Sequence, residues 1–447
     1  MVVAVLVALG MMPHAGASAC EEAERAAKES VRRLIEQLDV DSLSERVAAE
    51  RELLELGPDI LPHLPAVGAL STPAAEDAVR RIRERLERAQ AERSVLPSRV
   101  TLFGAHALRE ILEQVQAQTG NAVSVTSLPD DWLGRVIPCK WEGATFWECL
   151  ESIDRQQDVA VRFHPQDGLL EVVPETAIDE PPVRTASFGA FLVTVRSVTR
   201  RPDFTDRKCN VIRVRYDVAA EPRLRPLFVR VNDADFRLTA VAEAANDAEP
   251  KDATAAPLSQ EARRERPADR PGPVPLSTDF VVPRSWSSHT VHMTGRVEIE
   301  LASDREAITF RDLGTAEHII RRRGEVTVTL DKAKFTTESA DGPRAVRVDM
   351  RVAYDQAGPA FESHRTWVYH NDAFLRLSDE SQQWTHNGFD TIAEAEAAVK
   401  LSYRFDDVPA SPESLEFVYV APTLVLAVPL QIELADLPVE DPADRLP

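Results

Sequence analysis

The sequence predicts a multidomain α+β protein: an N-terminal helical segment, a small βαββαββ module and two tandem, mainly antiparallel β-sandwiches. Its 447 residues exceed what one hydrophobic core ordinarily serves, which indicates several domains. Apolar residues recur at helical spacing up to about residue 93, whereas alternating apolar and polar residues dominate after residue 182. A stretch near residue 230 recurs, with changes, near residue 370. These three observations predict the order of the domains.

Composition and charge argue against several classes of protein. The hydrophobic share of 44% and the charged share of 28% are those of a globular protein, and fit neither a disordered chain nor a membrane bundle. The formal net charge is −21. Because such a chain repels phosphate backbones and anionic lipid, we expect no nucleic-acid partner.

The first 19 residues predict a signal peptide. They form a short apolar run that closes on Ala17-Ser18-Ala19, the small-x-small pattern of a cleavage site. Cys20 follows directly and resembles the lipid-attachment cysteine of bacterial lipoproteins, although Ala17 stands where that family usually has Leu and no Lys or Arg precedes the run. Both cleavage with release and lipidation at Cys20 stay open. In either case we expect an exported protein of the periplasm or cell envelope, with membrane contact only through a lipid at Cys20.

Residues 21–93 predict three helices. Helix breaks are explicit at Asp41-Ser42, at Gly57-Pro58 and at Ser71-Thr72-Pro73. The apolar positions at helical spacing are Val31, Leu34, Ile35, Leu38, Val47, Leu53, Leu54 and Leu56. The phrase from Ser44 to Leu64 resembles a HEAT-like repeat, in which an Arg-x-Ala-Ala helix, a Leu-Gly turn and a Pro-spaced second helix recur. That resemblance implies a helical platform that docks a neighbour.

Residues 99–174 predict strand, helix, strand, strand, helix, strand, strand. The first helix ends at Thr119-Gly120 before a predicted strand from Ala122 to Val125. A second strand buries Ile137, Cys139 and Trp141 in alternation, and a second helix buries Phe146, Cys149, Leu150 and Ile153. A hairpin with a turn at Gln166-Asp167-Gly168 closes the module.

This succession resembles the short N-terminal domain of secretins and of TonB-dependent receptors. The resemblance covers about a sixth of the chain and implies an envelope adaptor that meets a partner protein through strand edges and helices. No outer-membrane barrel pattern follows it.

Cysteines and tryptophans of the module are predicted to be packing residues. Cys139 and Cys149 are expected to be two buried thiols in preference to a bridge, and Cys209 leaves an odd number. The sequence contains no Cys/His spacing typical of zinc. Trp132, Trp141 and Trp147 are expected to pack in the core or at its rim in preference to forming a ligand surface.

The remainder predicts two related β-sandwiches, at 183–312 and 313–440, of immunoglobulin-like or jelly-roll-like type. Asn232-Asp233-Ala234 with Arg237-Leu238 aligns without a gap on Asn371-Asp372-Ala373 with Arg376-Leu377. Residues 191–195 resemble 326–330, and 211–217 resemble 348–355; strands 296–301 and 399–405 are candidates to continue the match. The Asn-Asp pair predicts hairpin chemistry of a duplicated scaffold in preference to a site used twice.

Residues 242–275 and the segment from Ser414 to Pro442 each allow two interpretations. Residues 242–275 predict a disordered insertion, in which Arg263, Arg264 and Arg266 are balanced by nearby acids, so polyanion binding is not favoured. The apolar run from Ser414 to Pro442 is broken by Pro422, Pro429 and Pro438, which favours buried strands over a membrane anchor.

No motif predicts catalysis, a cofactor or a metal site. His289 and His292 fall on opposite faces of a strand, and His364, His370 and His386, with Asp372 and Asp390, show no dedicated ligand spacing. We therefore expect a non-enzymatic protein-binding adaptor or scaffold. The alternative is a carbohydrate-binding or hydrolytic envelope protein that uses Trp286, Trp367 and Trp384 on a sandwich face.

Overall fold

The chain is described here from a computed structural model, and its residues form two compact units, 1–94 and 95–447. The structure describes residues 15–65, 69–70, 72–164, 168–241, 254–259, 263–268, 271–324, 326–337, 344–354, 368–369, 371–395, 398–409 and 411–440. The mixed content of helix and antiparallel sheet confirms the predicted α+β class.

The first unit contains the three predicted helices. They are α1 (Ala15–Leu38), α2 (Leu43–Glu55) and α3 (Pro73–Ser94), with a 3₁₀ turn at Pro58–His63. Thr72 caps α3 as predicted, because its Oγ1 accepts from the Ala75 N–H at 3.3 Å. Val47 and Leu56 were expected on the apolar face and are exposed instead. The buried stripe of α2 consists of Ala49 and Leu53, since the short assembly covers only one side of this helix.

The N-terminal segment carries two predictions that lie mostly outside the described residues. Helix α1 runs through the predicted cleavage site, and the side chain of Cys20 is not among those described. In the described part of the chain, no helix combines the length and the apolar character that crossing a membrane requires.

The second unit begins with the predicted small module. Its elements are β1 (Arg99–Ala107), α4 (Leu108–Thr119), α5 (Asp130–Leu133), β2 (Val136–Thr145), α6 (Phe146–Gln157), β3 (Val159–Phe163) and β4 (Leu170–Pro174). β1 pairs with β2 and β3 with β4, both antiparallel. The strand predicted at Ala122–Val125 is wrong: only Ser124 bridges β4, at Glu171. Gly120 ends α4 with φ of +72°, which glycine adopts without strain.

Seventeen further strands lie among the described residues of the unit. They are β5 (Arg184–Phe188), β6 (Phe191–Pro202), β7 (Cys209–Ala220), β8 (Arg225–Asn232), β9 (Arg237–Ala240), β10 (Thr254–Ala255), β11 (Arg263–Pro267), β12 (Val274–Pro283), β13 (Thr290–Phe310), β14 (Glu317–Arg323), β15 (Val326–Thr337), β16 (Arg344–Tyr354), β17 (Asp372–Leu377), β18 (Gln383–Thr385), β19 (Gly388–Ala395), β20 (Ala398–Val408) and β21 (Leu415–Pro438).

Three sheets build two sandwich cores. Sheet order β12-β7-β6-β5 faces one part of a large sheet, and order β14-β15-β16-β20-β19 faces another part of it. The large sheet has β13 and β21 at its centre, flanked by β8 and β9 on one side and by β17 and β18 on the other. β21 is a buried strand, as the sequence favoured.

The predicted boundary between two separate sandwiches is wrong, because both cores share these central strands. β13 and β21 pair antiparallel from Thr290↔Pro438 to Phe310↔Phe417. Leu430 and Ile432 of β21 lie in the first core, whereas Ile308 and Phe310 of β13 lie in the second. One half of β13, the last strand of the first repeat, thus packs in the second core, and one half of β21, the last strand of the second repeat, packs in the first core. Neither core is complete within 183–312 or 313–440.

The strand orders support the predicted repeat and correct part of its alignment. β5, β6, β7 and β12 of the first repeat occupy the same order as β14, β15, β16 and β20 of the second. Within the large sheet, Arg237 lies opposite Thr294 and Arg376 opposite Glu416, so β13 corresponds to β21. The suggested match of 296–301 with 399–405 is therefore wrong, since those strands lie in different sheets.

The segment 242–275 is not disordered throughout. Within its described residues, β11 pairs with β8 from Arg263↔Asn232 to Pro267↔Phe228, and β12 begins at Val274. Regular pairing to β8 supplies backbone hydrogen bonds that the polar composition of this segment did not predict.

A buried hydrogen-bond network joins the module to the first sandwich. Glu221, fully buried after β7, accepts from the Ser98 N–H at 3.0 Å, Ser98 Oγ at 2.7 Å, Asn121 Nδ2 at 3.1 Å and Arg223 Nε at 2.6 Å. Asn121 Oδ1 in turn accepts from the Arg223 N–H at 2.9 Å. Nearby, Trp147 Nε1 donates to the Ala190 carbonyl at 3.2 Å. These contacts fix the orientation of the module on the sandwich.

Candidate functional site

Strand β14 (Glu317–Arg323), the candidate docking edge, lies at one end of the five-stranded sheet. It pairs with β15 from Glu317↔Lys332 to Arg323↔Val326. In the described part of the chain, no strand pairs with its other side. The turn after β14 is pinned by Gly324, whose φ is +50° and where an added Cβ would lie 2.5 Å from the Thr423 carbonyl oxygen. The turn that ends this edge therefore lies close against the central strand β21.

Both faces of the docking edge are exposed. All seven residues of β14 are solvent-exposed, including Ile319 at 39% and Ile320 at 68%. Successive side chains of a strand point to opposite faces, so each face presents one isoleucine. An edge strand that buries neither face contributes little to its own core and offers its backbone to an incoming strand.

The docking edge is basic in an acidic protein. Its sequence is EHIIRRR, with Arg321, Arg322 and Arg323 in succession. The Arg321 guanidinium lies 5.7 Å from the Phe310 ring centre, and Arg323 Nε lies 3.4 Å from Glu306 Oε2. The net charge of −21 for the whole chain makes this local excess of arginine distinctive. A strand that paired here would gain from carboxylates.

The Asn-Asp motif forms different structures in the two repeats. In the first, Asn232 Oδ1 accepts from the Ala234 N–H at 3.3 Å over a 3₁₀ turn, and Arg237 begins the returning strand β9, as predicted. In the second, Asn371 is buried and donates to the Tyr419 hydroxyl at 3.0 Å, while Asp372 already belongs to β17. The prediction of one shared hairpin chemistry is wrong for the second repeat.

The tryptophans named for glycan binding do not form a row among the described residues. Trp286 is buried in the first core, with 6% exposure, and Trp384 packs against the second core. Trp367 lies outside the described residues. In the module, Trp141 and Trp147 are buried and Trp132 packs at the rim beneath the Arg135 guanidinium, as their packing interpretation predicted.

Among the described side chains, Cys139, Cys149 and Cys209 are free thiols, as the sequence favoured for Cys139 and Cys149. Burial raises the pKa of Cys149 to about 12, with smaller contributions from the nearby Glu148 and Cys139. At neutral pH this thiol is therefore protonated and a poor nucleophile. Cys209 lies at the partly exposed start of β7 and is also free.

The predicted histidine positions form no metal centre in the described residues. Among them, no group of three or more His, Cys, Asp or Glu side chains is arranged to hold an ion. His364 and His370 lie outside the described part of the chain. His292 contacts Glu433 at 3.6 Å, whereas His386 packs with its ring centre 5.0 Å from that of Tyr403.

The partly buried position of His386 predicts that the protein loses stability as the pH falls. Burial lowers its pKa below the ordinary value, against a smaller opposing effect of Asp372. A lowered folded-state pKa means that the stabilising effect is complete above the unfolded pKa of about 6.5 and is lost as the pH falls below it. We expect His386→Phe to weaken this dependence in urea unfolding measured across acidic and neutral pH. His289→Asn, at an exposed histidine, is the matched control and should leave the dependence unchanged.

Comparison with known proteins leaves the family of this chain open. No family model matches it, and no curated protein matches it. A crystal structure described as the conserved domain protein from Bacillus anthracis is similar over 56% of this chain and 89% of that one, at 8% identity and a TM-score of 0.15. That TM-score supports no conclusion about fold or function.

Sequence reasoning did not single out β14 as a site. The segment reads as one more polar strand, and its charged run is typical of a solvated face. The sheet order places both β14 and β19 on edges, and the three successive arginines distinguish β14 from β19. The pair of adjacent isoleucines was the one available signal, because a half-buried strand ordinarily alternates apolar and polar residues.

Proposed function

We propose that this chain is a non-enzymatic binding scaffold of the cell envelope, which takes an extended acidic segment of a partner protein as an added strand beside β14. The observation that carries the proposal is that all seven residues of this edge strand are exposed, on both faces. In strand addition, main-chain hydrogen bonds supply affinity and side chains on alternate positions supply specificity.

The chemistry of the docking edge defines the partner. Ile319 and Ile320 offer apolar contacts on opposite faces, and burying one isoleucine contributes roughly 1.5–3 kcal/mol. Arg321, Arg322 and Arg323 favour carboxylates and disfavour a basic strand. The partner segment is therefore extended, with apolar and acidic residues in alternation.

Export is part of the proposal. The signal-type N-terminus, the Cys20 attachment pattern and the secretin-like character of residues 99–174 support a role in the periplasm or envelope. The Glu221 network supports a scaffold role, because it holds the module in a fixed orientation on the sandwich that carries it. The buried Trp286 gives no support to the glycan-binding alternative.

Replacing Ile320 by Asp is expected to weaken binding of an alternating Glu-Val peptide to the full chain by about tenfold or more, because it removes an apolar contact and adds a repelling charge. Fluorescence anisotropy of the labelled peptide measures this. Arg322→Glu should act in the same direction, and its effect should shrink at high salt.

Ile392→Asp is the matched control, since Ile392 is exposed at 49% on β19, the opposite edge of the same sheet. It should leave peptide affinity unchanged, and a Lys-Val peptide should bind far more weakly than Glu-Val. Equal losses for Ile320→Asp and Ile392→Asp would count against a site at β14.

A further inference from the structure

An open cleft of about 360 Å³ lies on the first sandwich, outside the docking edge. Three strands of the large sheet, β11, β8 and β13, run side by side beneath it. Its lining is almost entirely polar and consists of Arg230, Asn232, Asp235, Arg263, Arg296, Val297 and Glu298. The volume lies within the range of small-molecule sites.

One row of side chains across these strands is neutralised internally. Arg230 of β8 donates to Glu265 of β11 at 2.9 Å, to Glu298 of β13, and to Glu300 of β13 at 2.5 Å. Burial alone would lower the pKa of Arg230, but the hydrogen bond to Glu265 and the charges of Glu300 and Glu298 raise it above the ordinary value. Arg230 is therefore already engaged in ion pairs within the sheet.

The next row of side chains, Arg263, Asn232 and Arg296, is not neutralised by such ion pairs within the described part of the chain. Arg263 of β11 lies opposite Asn232 of β8. On the other side of β8, the antiparallel pair Val297↔Val231 places the preceding residue of β13, Arg296, beside Asn232 as well. Among the residues that the structure describes, neither Arg263 nor Arg296 has an ion-pair or hydrogen-bond partner. Glu265, which in the sequence would balance Arg263, is held by Arg230 instead.

The acidic groups of the lining already have donors. Asp235 Oδ1 accepts from Asn232 Nδ2 at 3.3 Å, and Glu298 is paired with Arg230. The hydrogen-bond donors left over in the cleft are thus those of two guanidinium groups and the second N–H of the Asn232 amide. Planar guanidinium forks match the geometry of carboxylate and phosphate oxygens.

We propose that this cleft binds the oxyanion group, phosphate or carboxylate, of a small molecule between Arg263 and Arg296. The ligand sits across the strand that carries Asn232, with one guanidinium on each side. In the described residues of the second repeat this arrangement is absent: the position of Arg296 on β13 corresponds to Val418 on β21, and Asn371 is buried against Tyr419. Within the described residues, the duplicated Asn-Asp motif therefore borders this cleft in the first repeat and a buried contact in the second.

Calorimetric titration of the full chain with inorganic phosphate, and separately with citrate, in chloride buffer tests the proposal. At least one of them should bind saturably. Arg263→Gln and Arg296→Gln should each weaken that binding by about tenfold, as expected for loss of one charge-assisted contact, and the double variant should abolish it. Saturable binding of phosphate alone identifies a phosphate-bearing ligand, and of citrate alone a carboxylate-bearing one.

Arg266→Gln is the matched control, because Arg266 is an exposed arginine on the same strand β11 that does not line the cleft. The affinity of Arg266→Gln for the anion should stay within about twofold of that of the unmodified chain. Thermal unfolding of each variant confirms that the fold is intact, as expected for substitutions of exposed arginines. Absence of saturable binding by both anions, or equal loss in Arg266→Gln, would overturn the proposal.

Discussion

Replacing Glu221 by Ala is expected to lower the free energy of unfolding of the 95–447 unit by about 3 kcal/mol. The carboxylate is fully buried and accepts four hydrogen bonds, from Ser98, Asn121 and Arg223. Alanine leaves the buried Asn121 amide and the Arg223 guanidinium without this acceptor, and an orphaned buried donor costs more than the bond it made. Urea unfolding followed by fluorescence measures the change.

A second substitution separates the contribution of the Glu221 charge from that of the Glu221 side-chain shape. Glu221→Gln keeps the shape but directs an N–H₂ group at donors, so it should also destabilise the unit. Glu142→Ala, at an exposed glutamate of β2, should change stability by less than about 0.5 kcal/mol. If Glu221→Ala also fell within that range, the junction between module and sandwich would not depend on this network.

Replacing Gly295 by Ala is expected to cost about 1–3 kcal/mol, because an added Cβ would overpack the first core. It would lie 2.2 Å from Cδ1 of Phe236, a ring that is fully buried and packs 6.2 Å from Tyr216 between ring centres. Thermal or urea unfolding measures the loss.

A double-variant cycle tests the cause of that loss. Gly295→Ala and Phe236→Leu should each destabilise alone, whereas their combination should cost less than the sum, with a coupling of about 1 kcal/mol. The second repeat already shows this exchange: by the register of β9 and β17, Phe417 stands where the first repeat has Gly295, and Leu375 where it has Phe236. Strict additivity would contradict steric conflict as the mechanism.

Local patterns predicted much of the module and of the first unit. Ile137, Cys139 and Trp141 alternate, and they are buried as a strand period of two requires. Thr119-Gly120 ended a helix where a left-handed residue was needed. Such signals are local, since each depends on residues within one or two turns of chain.

What the sequence did not predict depends on long-range pairing. β13 and β21 each read as one strand of one sandwich, and only their mutual pairing shows that they cross both cores. β11 was assigned to a disordered insertion because Arg and Glu dominate it, yet these charges face Arg230 and Asp233 across strands. The same pairing directs Glu265, which seemed to balance Arg263 in the sequence, to Arg230.

The decisive measurement for the scaffold proposal is hydrogen exchange of the full chain with and without the Glu-Val peptide. If the peptide adds as a strand, backbone amides of residues 317–323 should exchange more slowly in its presence, while those of β19, on the opposite edge, stay unchanged. Binding that leaves the amides of 317–323 unprotected, or that protects β19 instead, would contradict the assignment of β14 as the docking edge.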